Sequence, residues 1–199
     1  SQPGGARGID PPGTIAPEKL YTYYILDGRT QCSNTMPKVL PSRLVSYDSI
    51  LIPETGELLD VNVNLSINHP SDSNIAIWLV HSSFPMKQLS MFNGGSGENY
   101  INTTFDDEAE IPITEGFPPF TGSYKPEMSL SSFDNGPLEG LWKLRIYNYS
   151  ETETGELVNW CITFQYFDPI GITNNQVPVK SSLSQNYPNP FNSSTSINY

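Results

Sequence analysis

Alternation of apolar and polar side chains is the strongest structural signal in the chain. In residues 59–68, Leu, Val and Ile occupy every second position, and Asp, Asn and Ser fill the positions between them. A period of two residues is typical of a β-strand with one buried face and one face in water. Residues 141–147 and 159–166 alternate in the same way and predict two further strands of this kind. Residues 75–80 are apolar throughout, which indicates a central strand covered on both faces.

Shorter apolar runs and turn residues complete the pattern. Residues 20–26, 47–52 and 88–92 predict short strands, whereas residues 28–41 are typical of a loop. Residues 110–137 are rich in proline and predict a long irregular connection. No segment shows a helical period. Several short strands separated by Gly- and Pro-rich turns predict an all-β protein, built as an antiparallel β-sandwich.

Both ends of the chain differ from this central region. Residues 1–19 are Gly- and Pro-rich and predict an arm or linker, so the sandwich is assigned to residues 20–168. Residues 169–182 form a polar linker, and residues 183–199 carry prolines that favour an extended path. The expected fold is therefore a sandwich with extended N- and C-terminal arms. Such arms have no room in one sandwich core, so a protein partner or self-assembly through them is an open alternative.

The charge of the chain narrows the class of partner. There are 21 acidic and 10 basic residues, and the formal net charge is −11. Nucleic acids and anionic membrane surfaces need basic patches, so neither is an expected partner. No run of 18 apolar residues occurs, and no membrane insertion is expected. The 12% aromatic and 16% charged content is typical of an extracellular β-rich protein.

Residues 93–109, NGGSGENYINTTFDDEA, carry the most distinctive chemistry. The segment opens with glycines that permit a tight turn and closes with Asp106, Asp107 and Glu108. Between them, Asn99 and further Asn and Thr residues supply side-chain oxygens. As one ordered loop, this segment would suit a hard cation that prefers oxygen ligands, such as calcium. The alternative is a solvated polar loop without a ligand.

Nothing in the chain resembles a catalytic constellation. Nucleophilic catalysis needs a nucleophile, a base and an orienting group, and His69 and His81 are the only histidines. There is no GxSxG, HExxH or P-loop motif. Asp106 and Asp107 are neighbours on an extended backbone, so their side chains point in opposite directions and do not form a glycosidase pair. The expectation is a non-catalytic protein.

Two cysteines, Cys32 and Cys161, lie far apart in the sequence. They have no CxxC spacing and few histidines near them, which disfavours a zinc site. In an oxidising compartment they are expected to form one disulfide, and the alternative is a pair of buried thiols.

Five segments, in order along the chain, resemble the P domain of proprotein convertases. The segment at 93–109 is similar to that family's GGxGxNYxxTxFDDEA, nearly residue for residue, and PFTGSYKP at 119–126 resembles its PFTGxYxP. The other three lie at residues 67–79, 130–144 and 154–160. The resemblance covers about residues 44–166, which makes it far more specific than a single motif.

This resemblance implies a jelly-roll β-sandwich with structural calcium. It makes Asp106 and Asp107 the leading metal ligands, with Glu108, Asp72 and Asn99 as further candidates. Two positions depart from the family, because Asn74 and Asn148 stand where the family has Asp. Asn brings a carbonyl oxygen without the charge, so calcium affinity is expected to be weaker. Asp72 is the expected substitute for the missing charge.

The tail resembles a different family. Tyr187, Pro188, Asn189, Pro190 and Phe191 are similar to the start of the type A C-terminal sorting domain of type IX secretion substrates. That domain would continue past Tyr199, so we expect the chain to be part of a longer protein. The resemblance implies export to the cell surface or the medium, which agrees with a disulfide.

Three functions are consistent with these features. The first is a non-catalytic, secreted, calcium-stabilised P-domain-like accessory or binding module. The second is a structural subunit of an extracellular or cell-surface assembly. The third is the accessory domain of a subtilisin-like protease, as P domains are in convertases. The sequence identifies neither the binding partner nor the ligand.

Overall fold

A computed structural model describes residues 23–170, which fold into two packed β-sheets. This part of the chain contains ten strands and three short 3-10 helices. The strands are β1 (Tyr23–Cys32), β2 (Lys38–Leu40), β3 (Val45–Ile52), β4 (Glu57–Asn68), β5 (Ile75–His81), β6 (Lys87–Met91), β7 (Tyr100–Phe105), β8 (Phe120–Tyr124), β9 (Gly140–Asn148) and β10 (Gly155–Ile170). The 3-10 helices are Asp72–Asn74, Ile113–Glu115 and Leu130–Phe133.

The first sheet, sheet A, has the strand order β1-β10-β4-β7-β8, with β2 paired beside β10. The second, sheet B, has the order β3-β9-β5-β6. The registered pairs are antiparallel except for β7 and β8, which run parallel. The predicted all-β sandwich is confirmed. No helix among residues 23–170 is long and apolar enough to cross a membrane.

The core lies between the sheets and is built from alternating inward residues. Its largest fully buried side chains are aromatic: Trp142, Trp160, Tyr100, Phe105, Phe120, Phe133 and Phe164. One expected core residue is displaced. Leu58 is buried and Leu59 is only half-buried, because β4 has one extra residue, Leu59, between the partners of Gln165 and Tyr166, which changes which β4 residues face inward. Beyond this shift, β4 alternates as predicted.

Two predicted loops contain strands. In residues 28–41, β1 continues to Cys32 and β2 pairs with β10. In residues 93–109, β7 lies between β4 and β8, so this segment is not one loop. The sequence pattern missed β7 because one of its buried residues is polar. Thr103 is fully buried, and its hydroxyl donates to the carbonyl oxygen of Phe120 at 2.6 Å. Residues 110–137 contain β8 and two 3-10 helices between irregular stretches.

A disulfide between Cys32 and Cys161 joins β1 to β10 across a sequence separation of 129 residues. This is the pairing favoured by the sequence over two free thiols. The arm at residues 1–19, most of the linker at 169–182 and the sorting motif at Tyr187, Pro188, Asn189, Pro190 and Phe191 lie outside the described residues.

Candidate functional site

The structure divides the five predicted metal ligands into two groups at opposite ends of β7. Asp72 and Asn99 lie together beside its first residue. Asp106, Asp107 and Glu108 follow its last residue. A six-residue strand spans roughly 17 Å from first to last Cα, so these side chains do not converge on one ion.

Asp107 serves as a cap for a short helix. One carboxylate oxygen accepts hydrogen bonds from the hydroxyl of Ser129 and the backbone N–H of Ser131, the latter at 2.8 Å. The other oxygen accepts the backbone N–H of Leu130 at 3.1 Å. These donors belong to the first turn of the helix Leu130–Phe133. Asp107 therefore ties the segment after β7 to this helix, which gives it a structural role independent of any cation.

Like charges surround Asp107. Burial raises the pKa of Asp60, and Asp106 and Asp107 add to the effect. Burial also raises the pKa of Asp134, with a contribution from Asp60. A hydrogen bond with Asp106, followed by burial, raises the pKa of Glu108. Among residues 23–170, however, no three Asp, Glu, His or Cys side chains are close enough together to hold a metal ion.

Asp72, at the other end of β7, is a fully buried carboxyl group. Its Oδ1 accepts the backbone N–H of Asn99 at 2.9 Å, whereas its Oδ2 has no hydrogen-bond partner among the described residues. Its backbone N–H donates to the carbonyl oxygen of Gly97 at 2.8 Å, and the N–H of Ser73 donates to that of Gly95 at 3.2 Å. The glycine-rich turn is thus wrapped around Asp72.

Only glycine permits this close approach at position 94. Gly94 has a φ of +89°, and a Cβ there would lie 2.7 Å from Cγ of Pro118 and 3.0 Å from Cβ of Asp72. The Oδ1 of Asn99 accepts the backbone N–H of His69 at 2.9 Å, which fastens the chain between β4 and β5 to the same turn. The Asp72 region is therefore a rigid junction of two loops.

The electrostatics of Asp72 are unusual. Burial raises its pKa to about 7, the hydrogen bond from Asn99 opposes this rise, and the charge of Glu98 adds to it. Glu98 is exposed and lines an open depression of about 380 Å³, together with His69, Asn99 and Glu156. Near neutral pH, the Asp72 carboxyl group is therefore partly protonated and partly ionised. When it is ionised, its Oδ2 has no hydrogen-bond partner among the described residues.

Both histidines are buried against main-chain groups. Nδ1 of His69 lies 2.7 Å from the carbonyl oxygen of Ser71, and its ring packs against Gly155. Nε2 of His81 lies 3.2 Å from the carbonyl oxygen of Glu139, and its ring centroid is 4.5 Å from that of Trp142. Burial lowers the pKa of His81. Both histidine rings are thus held against main-chain groups of the loops.

The core of the sandwich also identifies its family. The family model for the proprotein convertase P-domain matches residues 58–164, which is more than half of the chain. The chain belongs to the proprotein convertase P-domain family. The matched region runs from the buried Leu58 in β4 to Phe164 in β10 and contains both acidic regions.

Solved structures with a similar fold include two of Aeromonas sobria origin. One is the serine protease of that organism, with a TM-score of 0.49 at 15% identity over 71% of this chain. The other is the same protease in complex with the chaperone, with a TM-score of 0.50 at 15% identity over 72% of this chain. At this identity the likeness concerns the fold alone. The P-domain chain spans about 27% of the length of each. No curated protein matches it.

Asn74 and Asn148, the two positions at which the resemblance predicts Asp, have structural roles. Asn148 is buried, and its Nδ2 donates to the carbonyl oxygens of Leu40 at 3.0 Å and Glu153 at 2.9 Å. Its Oδ1 accepts the N–H of Ser150 at 3.0 Å. Asn74 uses its backbone, since its carbonyl oxygen accepts the N–H of Tyr149 at 2.7 Å. The amide at 148 donates to two carbonyl oxygens, which an ionised carboxylate could not do.

Sequence reasoning missed one acidic residue of structural importance. Asp48 is buried and accepts hydrogen bonds from Nε1 of Trp160 at 2.7 Å, the hydroxyl of Thr35 at 2.6 Å and Nζ of Lys38 at 3.1 Å. Burial by itself would raise its pKa, but these donors prevail and lower the pKa to about 2. The strand pattern of β3 offered a signal, because Asp48 shares the inward face of the strand with the buried Ile50 and Ile52.

Proposed function

We propose that this P domain is a non-catalytic accessory module of a secreted protein. The observation that carries the proposal is the position of its two histidines, the only ones in the chain. Both are buried and hold main-chain groups of loops, so neither is placed as the base of a nucleophile. The family match over the sandwich core supports an accessory role.

The partner of such a module is proposed to be a larger polypeptide. The Aeromonas sobria proteins of similar fold are described as serine proteases, and a P-domain-sized region accounts for about a quarter of their length. We infer that this P domain stabilises or positions a neighbouring region of comparable kind. A structural subunit of an extracellular assembly remains the second candidate, favoured by the amount of sequence outside the sandwich.

A secreted or cell-surface location is part of the proposal. The disulfide between Cys32 and Cys161 is typical of oxidising compartments, and P domains belong to extracellular proteins. Residues 187–191 resemble the start of a type IX secretion sorting domain, and this resemblance supports export by that route. Detection of the chain only in the cytoplasm of its source cell would contradict this part of the proposal.

We further propose that calcium binds at the Asp72 region rather than among the acids after β7. Oxygen is the ligand that calcium prefers, and the free Oδ2 of Asp72 is a buried acceptor without a partner among the described residues. The exposed carboxylate of Glu98 belongs to the same junction, and its charge adds to the raised pKa of Asp72. Both oxygens of Asp107, in contrast, already accept hydrogen bonds. Bound calcium would supply positive charge to a buried carboxylate.

The non-catalytic assignment is tested by a hydrolysis assay on the purified 199-residue chain. Casein, gelatin and a nitrophenyl ester are suitable substrates, with subtilisin as the positive control. We expect no turnover above the buffer rate. Turnover that persists through purification and disappears in His69→Ala or His81→Ala would overturn the proposal.

A further inference from the structure

The outer face of sheet B carries a row of three side chains from three adjacent strands. Arg145 on β9 is paired in register with Tyr47 on β3 and with Trp78 on β5. The guanidinium carbon of Arg145 lies 4.2 Å from the centroid of the Trp78 ring, and its Nε donates to the hydroxyl of Tyr47 at 3.2 Å. Arg145 is thus held flat across the centre of the sheet.

Aromatic contacts extend this row toward one end of the sheet. The ring centroid of Tyr149 lies 5.9 Å from that of Tyr147 and 5.6 Å from that of Phe92. The guanidinium carbon of Arg43 lies 4.5 Å from the Tyr149 centroid. Two arginines stacked on aromatic rings therefore belong to one continuous surface, which we call the sheet B face.

The sheet B face has the opposite charge from the rest of the protein. Its outward positions on β3, β9 and β5 contain no Asp or Glu and include the cations Lys143 and Arg145. Within residues 23–170, neither Lys143 nor Arg145 forms an ion pair. Among the described residues, acids lie at its margins, where Glu151 pairs with Arg43 and Glu127 accepts from Gln88. The whole chain carries a net charge of −11.

Exposed apolar side chains accompany these cations. Leu51 is 66% exposed, Tyr47 is 51% exposed, and Leu44, Val45 and Leu141 are also exposed. On the outer face of sheet A, in contrast, β4 presents Asp60, Asn62, Asn64 and Ser66. Among the described residues, the sheet B face therefore has the mixture of Arg, Tyr, Trp and Leu that is typical of the centre of a protein interface, and β4 of sheet A does not.

We propose that the sheet B face binds an acidic protein surface, one that places carboxylates opposite Arg145 and Lys143 within an apolar surround. A guanidinium held flat on a ring keeps its N–H groups in a fixed plane, which suits a carboxylate. A sugar would leave the exposed leucines uncovered and would find the Trp78 ring already covered by Arg145. A symmetric contact with a second copy would bring the same cations together. This inference is independent of the calcium proposal.

Intrinsic fluorescence gives a direct assay, because Trp142 and Trp160 are fully buried and Trp78 is the half-buried tryptophan on the face. The probe is the peptide acetyl-Glu-Leu-Glu-Phe-Leu-Glu-amide, titrated into the 199-residue chain. We expect a saturable change in Trp78 emission and a shift of the Arg145 Nε–H signal in NMR spectra. Affinity is expected to fall several-fold between 50 and 500 mM salt, as an electrostatic contact requires.

Matched variants distinguish this face from general charge effects. Arg145→Glu is expected to weaken peptide binding by about tenfold or more, as for loss of a charge-assisted hydrogen bond. Lys125→Glu makes the same charge change at an exposed position outside the face and is expected to bind like the wild type. Unchanged melting temperatures would show that both variants are folded.

Three results would overturn the inference. The first is equal binding of a peptide with Gln in place of every Glu, which would remove the role of charge. The second is tighter binding of polygalacturonate than of the peptide, which would assign the face to an acidic glycan. The third is concentration-dependent dimerisation, measured by sedimentation, that Arg145→Glu abolishes, which would assign it to a second copy.

Discussion

One oxygen of the Asp72 carboxyl group accepts the backbone N–H of Asn99 at 2.9 Å, while the other has no partner among the described residues. The two residues are 27 positions apart and lie at the junction of two loops. A buried carboxylate with one unsatisfied oxygen is costly, and the cost is relieved either by a proton or by a cation. The first two predictions separate these possibilities.

Without a cation, Asp72 should make the domain less stable as pH rises. Its folded pKa is about 7, well above the ordinary aspartate pKa of 3.8. Between these values the folded state binds more protons than the unfolded state, so the free energy of unfolding falls from about pH 4 to pH 7. The difference between the folded and the ordinary pKa sets an upper limit of roughly 4 kcal/mol on this fall. Urea denaturation in chelator at four pH values measures the slope.

Asp72→Asn should flatten that slope, since the amide does not titrate. Asp60, Asp134 and Glu108 have raised pKa values and contribute slopes of the same sign, so a residual dependence is expected in the variant. A slope that is identical in the variant and the wild type would show that Asp72 does not titrate in this range.

Calcium should raise the melting temperature of the wild type. Calcium at about 100 times its Kd adds roughly 2.7 kcal/mol, which corresponds to about 5–11 °C for a domain of this size. Asp72→Asn should lose most of the shift, whereas Asp107→Asn should keep it despite a lower starting temperature. The measurement is a thermal melt with calcium and with excess chelator.

The reverse pattern, with the shift lost in Asp107→Asn and kept in Asp72→Asn, would return the cation to the acids that follow β7. A magnesium titration at the same ionic strength controls for screening of the net charge.

Replacing Asp107 by Ala should destabilise the fold even in the absence of calcium. The variant removes the acceptor that Asp107 offers to the N–H groups of Leu130 and Ser131 and to the hydroxyl of Ser129, and leaves only the weaker contact from Ser131 N–H to Ser129 Oγ at 3.2 Å and the contact between the two hydroxyls. Loss of such a cap costs about 1–2 kcal/mol. Chemical denaturation in chelator gives the value. Glu108→Gln is the neighbouring control and should be neutral or slightly stabilising, because it removes repulsion from Asp106.

Removal of the disulfide should also lower stability. Cys32 and Cys161 enclose 129 residues, for which the chain-entropy model gives about 4–5 kcal/mol. The double variant Cys32→Ser/Cys161→Ser should therefore unfold at a clearly lower denaturant concentration, and reductant should shift only the wild type. An effect below about 1 kcal/mol would show that β1 is held by its pairing with β10 alone.

Strands with strict alternation were predictable because each inward side chain in them is apolar. In β9, Trp142, Leu144 and Ile146 are buried, as the period of two indicated. In β7 the same logic failed, since Thr103 is buried and polar and depends on the carbonyl oxygen of Phe120, 17 residues away. In β4 the bulge opposite Tyr166 moved the inward position from Leu59 to Leu58, which no local pattern in β4 reveals.

The sequence by itself determined that the protein is an all-β P domain. Strand alternation and the family's motifs both depend on residues close together in the chain, so both can be read without the fold. It also placed the acids, the cysteines and the arginines. Tertiary structure decided which of these groups meet. Long-range strand pairing separated Asp72 from Asp106 by the length of β7 and brought Tyr47, Arg145 and Trp78 into one row. The charge and burial of each group follow from those neighbours, and the neighbours are set by the fold.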